Sequence, residues 1–312
     1  MNPDTDATIT VSAPGSLMLL GEHAVLHGHR ALVCAINRRI TIRLFPSLDN
    51  TVKIVSDLGN YQSPLGDLVD HPSFRFVLQA IRQQAPHIQG GFELKIDSEF
   101  SADIGFGSSA AVTVATHAAL MHWIKNEAPI NQELFSQSLE TVHAVQGRGS
   151  GADLAASMFG GIVGYTTSPE FQPLDISVPL TAVYCGYKTP TPEVILKVEQ
   201  LCAKNPEKYA RIYSEIDSGV GEAVSCLRNH DFPAFGKILD RNHQLMDEMG
   251  VNTPELQEIV AALQAEPEIF GAKISGSGMG DCAVGIGYAD LKELDYPVHH
   301  LEITPAGCEY HE

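Results

Sequence analysis

The chain has 312 residues, 44% hydrophobic and 19% charged, the profile of an ordinary water-soluble protein with one large or two medium domains. Its 20 basic against 38 acidic side chains give a net charge of −18, a surface that repels nucleic acid and anionic lipid, so neither is expected as a partner. Apolar runs stop well short of the ~20 residues a membrane helix needs. Residues 1–8, MNPDTDAT, carry acid and no basic segment, unlike a signal peptide, and the six scattered cysteines form no C-x-x-C pair. A cytoplasmic protein with reduced core cysteines is expected.

In chain order, TITVS (8–12) reads as a strand ended by Ala13-Pro14-Gly15. The next apolar run is broken at Gly21-Glu22-His23 and again at His27-Gly28-His29, which suggests a turn with polar side chains facing a cleft; a plain surface turn would read the same way. RRITIRLF (38–45), TVKIVSD (51–57) and GFELKIDS (91–98) are alternating or β-branched and predict strands. SFRFVLQAIRQQA (73–85) and INQELFSQSLETVHAVQG (130–147) have apolar residues at helical spacing. A Thr-Ser-Pro break near 166–169 and Pro173 mark a linker, so that domains of 1–167 and 175–312 are expected. Beyond it lie a strand at 180–188, helical sequence from 191 to about 249, and a helix opening at Thr253-Pro254. AKISGSGMGDCAVGIG (272–287) reads as strand, glycine loop, strand, and 301–307 closes a sheet.

Two glycine stretches carry the chemistry. In IGFGSSAAVTVATHAAL (104–120), Gly105 and Gly107 lead without a break into an Ala- and Val-rich helix. Glycines open backbone angles closed to other residues, and the first helical turn presents unpaired N–H groups and a positive dipole end, a setting for phosphate. Ser108 and Ser109 add hydroxyls suited to phosphate oxygens or a hard cation. A Gly-Ser turn before a helix is equally an ordinary N-cap, and the stretch is neither a P-loop nor G-x-G-x-x-G. Gly276 to Gly280, between two strands, is either a glycine-rich hairpin or a loop that lets backbone approach a ligand.

Taken together and in order, APGSLMLLGEHAVLHG (13–28), IGFGSSAAVTVA (104–115) and KISGSGMGDCAVGIG (273–287) resemble the three signature motifs of the GHMP family of small-molecule kinases. GEHAVLHG is most similar to the mevalonate kinase branch, and NHQLMDEMGVNTPEL (242–256) resembles the helix-turn-helix that these enzymes place before the third motif. The resemblance implies a two-domain α+β fold with the active site in the interdomain cleft, ATP and Mg²⁺ as cofactors, and phosphorylation of mevalonate to 5-phosphomevalonate. It assigns the ATP phosphates to Gly105, Gly107, Ser108, Ser109 and Ala110, with Gly276 and Gly278 in support, and Mg²⁺ to Ser109. It assigns the substrate end to Glu22, His23, Ser150 and Gly151, and the base toward the substrate hydroxyl to Asp153. Asp153 would also stabilise a helix terminus simply by its position. Family members are often dimers, which implies a homodimer here.

Two positions depart from the pattern. The lysine that follows Ala-Pro-Gly in mevalonate kinases, expected to pair with the catalytic Asp, is Ser16; Arg148 and Lys273 are the nearest substitutes by motif. The metal-binding Glu eleven residues before that Asp is Val142, and Glu140 lies about 200° away around the helix. G-S-G-A-D-L-A and G-D-C also resemble bacterial phosphomevalonate kinases. Phosphomevalonate, a sugar or homoserine therefore remains an alternative acceptor, and a non-catalytic metabolite sensor a third expectation.

Overall fold

The computed structural model describes residues 8–102, 104–127, 130–167 and 171–311. Residues 1–7 of the acidic start and 168–170 of the linker lie outside them.

The first half of the chain forms β1 (Ile9–Leu20), β2 (Ala31–Ser47), β3 (Thr51–Ser56), β4 (Gly59–Pro64), α1 (Arg75–Gln84), β5 (Gly91–Ser98), α2 (Ser108–Lys125), α3 (Gln132–Gln146) and α4 (Ala152–Phe159). Then come β6 (Ile162–Tyr165), β7 (Phe171–Leu174), β8 (Pro179–Tyr184), α5 (Thr191–Lys204), α6 (Pro206–Arg228), α7 (Phe232–Met249) and α8 (Pro254–Ala265). The last elements are β9 (Ala272–Ser275), β10 (Cys282–Ile286), β11 (Val298–Glu302) and β12 (Glu309–His311). The expected α+β fold is thus observed.

Two sheets organise these elements. The first runs β12-β1-β2-β5-β3-β4, with β6 added along β2 and β7 along β6. All its pairs are antiparallel except β3 with β5. The second, β11-β8-β10-β9, is antiparallel throughout. The chain's last strand returns to the first sheet by pairing with β1.

Beneath the first sheet, α1 to α4 close one core that includes Met18, Val33, Val114, Ala118 and Leu154. The opposite side chains of the same strands, Leu17, Leu19, Leu32 and Cys34, join Leu180, Val284 and residues of α6 and α7 in a second core between the sheets. A third core packs α5, α6 and α8 on the far side of the second sheet. Strand β1 is therefore buried on both faces, which explains an unbroken apolar run where a surface strand would alternate.

Two expectations are corrected. Ala13-Pro14-Gly15 does not end β1; the strand continues to Leu20 with register shifts against β2 between Pro14 and Ser16 and between Met18 and Leu20. The ladder survives because a bulge absorbs the proline. Gly15 is required there: a Cβ would stand 2.5 Å from the Phe106 carbonyl oxygen. The helical stretch after 191 is also three helices, broken at Asn205 and at the turn before Phe232.

Candidate active site

A cleft of about 1530 Å³ opens between the elements of the two sheets. Of the site residues expected from sequence, Glu22, His23, Gly105, Gly107, Ser108, Ser109, Ala110, Ser150, Gly151, Asp153 and Gly276 all line it. Gly278 does not: a Cβ there would stand 2.7 Å from the Val251 carbonyl, so this glycine seats the third loop on the α7–α8 turn. Met279 N–H bonds the same carbonyl at 2.7 Å.

The second glycine loop opens α2 without a side-chain cap. Gly107 holds φ +67° and its carbonyl accepts from Ala110 and Ala111, while the Ser108 and Ser109 N–H groups have no hydrogen-bond partner among the described residues. An 18-residue helix therefore points two free amides and its dipole into the cleft, beside two hydroxyls.

The first motif reaches the same place through the end of β1. Gly21, at φ +101°, turns the chain where a Cβ would meet Ala31, and His23 follows at φ +59°, a positive angle that a non-glycine residue rarely takes. His23 Nε2 lies 2.9 Å from the Ser277 carbonyl, tying this turn to the third loop; burial pushes the imidazole below its ordinary pKa and so keeps it neutral. Glu22 is bonded through Oε1 to Lys273 Nζ, both side chains almost wholly buried, and its Oε2 has no hydrogen-bond partner among the described residues.

Asp153 stands in the first turn of α4, after Gly151 at φ +85°. Ser16 Oγ donates to Asp153 Oδ1 at 2.8 Å. Burial pushes the Asp153 carboxyl above its ordinary range; the Ser16 bond and the Lys188 charge pull it down, and Asp281 and Glu22 push it up. Ser16 in turn lies over Gly107, where a Cβ would come within 2.0 Å of its hydroxyl oxygen, and its N–H bonds the Phe106 carbonyl at 3.0 Å.

Neither cation singled out from sequence serves Asp153. Arg148 is on the surface, 2.8 Å from Glu199, and Lys273 is committed to Glu22. Lys188, which sequence reasoning missed, lines the cleft and bonds Asp281 at 3.0 Å. Among the described residues, Arg75 and Lys188 are the lining Lys or Arg side chains, against the carboxylates Glu22, Asp57, Glu99, Asp153 and Asp281. Val142 lines the wall as an apolar residue, and Glu140 is exposed outside it.

Among the described residues no three His, Cys, Asp or Glu side chains group into a metal cage. A hard cation carried by phosphate keeps several waters and needs only one or two protein oxygens. The Ser109 hydroxyl beside the open amides fits that lighter demand.

An uncapped helix terminus and a buried carboxylate bonded to a serine hydroxyl, in one cleft of a two-domain α+β fold, are parts that a phosphoryl-transfer site would use. Three family models match: "GHMP kinases N terminal domain" over residues 74–161, "GHMP kinases C terminal" over 223–294, and "Galactokinase galactose-binding signature" over 3–44. A mevalonate kinase of Archaeoglobus fulgidus is 33% identical, over 88% of this chain and 91% of its own. One from Thermococcus gammatolerans is 30% identical over 88% and 87%. The solved mevalonate kinase of Methanococcus jannaschii superposes with a TM-score of 0.82 over 96% of this chain and 99% of its own, at 23% identity. The chain belongs to the GHMP kinase family, whose members are small-molecule kinases, as the three motifs implied.

Proposed function

We propose that this protein is a mevalonate kinase, transferring the γ-phosphoryl group of ATP to the 5-hydroxyl of mevalonate. The observation that carries the proposal is the convergence on one cleft of the uncapped start of α2, the Ser16–Asp153 bond and the Glu22–His23 turn. The relatives named mevalonate kinase support the choice of acceptor.

Phosphoryl transfer needs positioning and charge neutralisation more than covalent help. In this proposal the Ser108 and Ser109 amides and hydroxyls hold the phosphates. Asp153 Oδ takes the hydroxyl proton as the new O–P bond forms and the bond to the ADP oxygen breaks. Glu22, His23, Ser150 and Gly151 form the acceptor end, and Gly276 lends backbone to the phosphate side. Mg²⁺, when bound, supplies neutralising charge on the phosphates, and Ser109 would hold it. The lobes would divide at 167 and 175, with β12 returning to the first. We read the enzyme as cytoplasmic and homodimeric; no helix among the described residues is long and apolar enough to cross a membrane.

Phosphomevalonate would demand cations at the acceptor end. Arg148 is paired with Glu199 on the surface and Lys273 is buried against Glu22, so neither is free to hold a substrate phosphate. The test is ADP release by the purified protein with ATP, Mg²⁺ and mevalonate, which should be saturable and fall by about 10²- to 10⁴-fold in Asp153→Ala. Turnover of phosphomevalonate but not mevalonate would overturn the acceptor. Trace turnover unchanged in Asp153→Ala would instead indicate a metabolite sensor.

A further inference from the structure

We propose that Lys188, held on the cleft wall by the loop after β8, is the positioning residue that supplies Asp153 with the positive charge that residue 16 does not carry. The proposal rests on Asp153 being the base of the kinase described above.

The loop that bears Lys188 is fastened to the third glycine loop at several points. Asp281 N–H donates to the Tyr187 carbonyl at 2.8 Å, Cys185 N–H to the Asp281 carbonyl at 2.9 Å, and Thr189 Oγ1 to the Met279 carbonyl at 2.5 Å. Lys188 Nζ then meets Asp281 Oδ2 at 3.0 Å. The Asp281 carboxylate is packed on the second glycine loop, where a Cβ on Gly105 would fall 1.8 Å from Oδ1. Two residues on, Gly107 carries the Ser16 hydroxyl that bonds Asp153. Residues two apart span at most about 7 Å, so the Lys188–Asp281 pair and the Ser16–Asp153 pair flank one short loop.

Lys188 is not fully consumed by Asp281. Its side chain is 39% exposed, and among the described residues Asp281 Oδ1 is buried without a hydrogen-bond partner, so one ammonium serves a site with more negative charge than it can neutralise. The Ser16 hydroxyl bonds Asp153, and the charged and titratable groups that act on it through space are Lys188, Asp281, Glu22 and, from β2, the Cys34 thiol, itself pushed up to about 12 by burial. Lys188 is the cation in that set, and the direction of its effect on Asp153 is the one the role requires.

The signs separate this role from a structural one. Removing the cation raises the Asp153 carboxyl further, so the acid limb of the pH profile of kcat/KM should move to higher pH. Removing the negative charge of Asp281 should move it to lower pH. The expected result for Lys188→Met is a fall in kcat of at least about tenfold and an acid limb shifted up by about one pH unit. Lys188→Arg should keep most activity and the wild-type limb, and Asp281→Asn should shift the limb down. An unmoved limb in Lys188→Met, or shifts of the same sign in Lys188→Met and Asp281→Asn, would overturn the proposal. Asp153→Asn separates the two levels of inference. If it keeps wild-type turnover, the kinase assignment of Asp153 fails; if it is inactive while Lys188→Met leaves the limb in place, only the role of Lys188 fails.

Discussion

Glu22 and Lys273 lie 251 positions apart in the chain and meet almost out of contact with water. Burial pushes the Lys273 ammonium below its ordinary range, and the Glu22 charge pulls it back up. Each partner alone would be an uncompensated charge in a dry interior, a larger penalty than the pair's own net contribution. Lys273→Met is therefore expected to lower folding stability by about 3–5 kcal/mol, and Glu22→Gln/Lys273→Met to recover most of that loss. Urea denaturation of the two variants checks this; a single variant within about 1 kcal/mol of wild type would contradict it. The pair also marks where sequence stopped informing. The glycine stretches were marked by local pattern, and Asp153 and Ser109 by the family resemblance, but a lysine in the strand AKIS says nothing of which carboxylate will sit opposite. Lys273 and Arg148 were reasonable substitutes for a lysine at 16 until folding assigned each a different partner. Lys188 was invisible in a Thr-Pro-rich loop because only the seam between β8 and β10 brings it to Asp281.

Among the elements, the helix starts divide by task. Asn131 caps α3 by accepting from Glu133 and Leu134 N–H, and Thr253 caps α8 through Leu256 N–H, as the Thr-Pro signal anticipated. The start of α2, by contrast, has no side-chain cap and faces the cleft. Most helices and strands were readable because a 3.6- or 2-residue period survives in them. The run of β1 through Ala-Pro-Gly was not, because a bulge depends on the neighbouring strand. The same limit applies to the seam joining α1, α2 and α3. His117 Nε2 is 2.8 Å from Thr141 Oγ1, which donates to Gln83, while Nδ1 faces Gln84 Nε2 at 3.4 Å. With Nε2 donating and Nδ1 accepting, every group is matched; a second ring proton would point at an amide donor. Burial accordingly pushes His117 down to about 3. A depressed histidine means that the unfolded chain binds the extra proton first, so stability falls as pH drops below about 6.5 and levels off only near the folded value. The loss approaches about 1.4 kcal/mol per pH unit within that window. His117→Gln removes this contribution, so the stability difference between wild type and variant, followed by denaturant titration from pH 7 to pH 4, should shift steadily in the variant's favour as pH falls. A difference that does not change with pH would show that His117 does not titrate in this way.

At the scale of the whole molecule, a chain of charge −18 is proposed to gather a triphosphate into a cleft whose charged lining is itself mainly carboxylate. Long-range and short-range electrostatics then oppose one another. The distant acidic surface repels the nucleotide across solvent, where salt screens it: the screening length drops from about 30 Å at 0.01 M to about 8 Å at 0.15 M. In that proposal the attractive parts, the α2 amides, act at contact distance inside the cleft, where screening is weaker. Raising ionic strength over that range, at constant free Mg²⁺, should therefore lower KM for ATP by about twofold or more, the reverse of the behaviour of a basic phosphate-binding surface. Initial-rate measurements in a non-binding salt decide the matter. A KM that rises with salt would mean that the few local cations outweigh the net charge even at a distance, and that attraction at long range, not the contact geometry of α2, governs nucleotide capture.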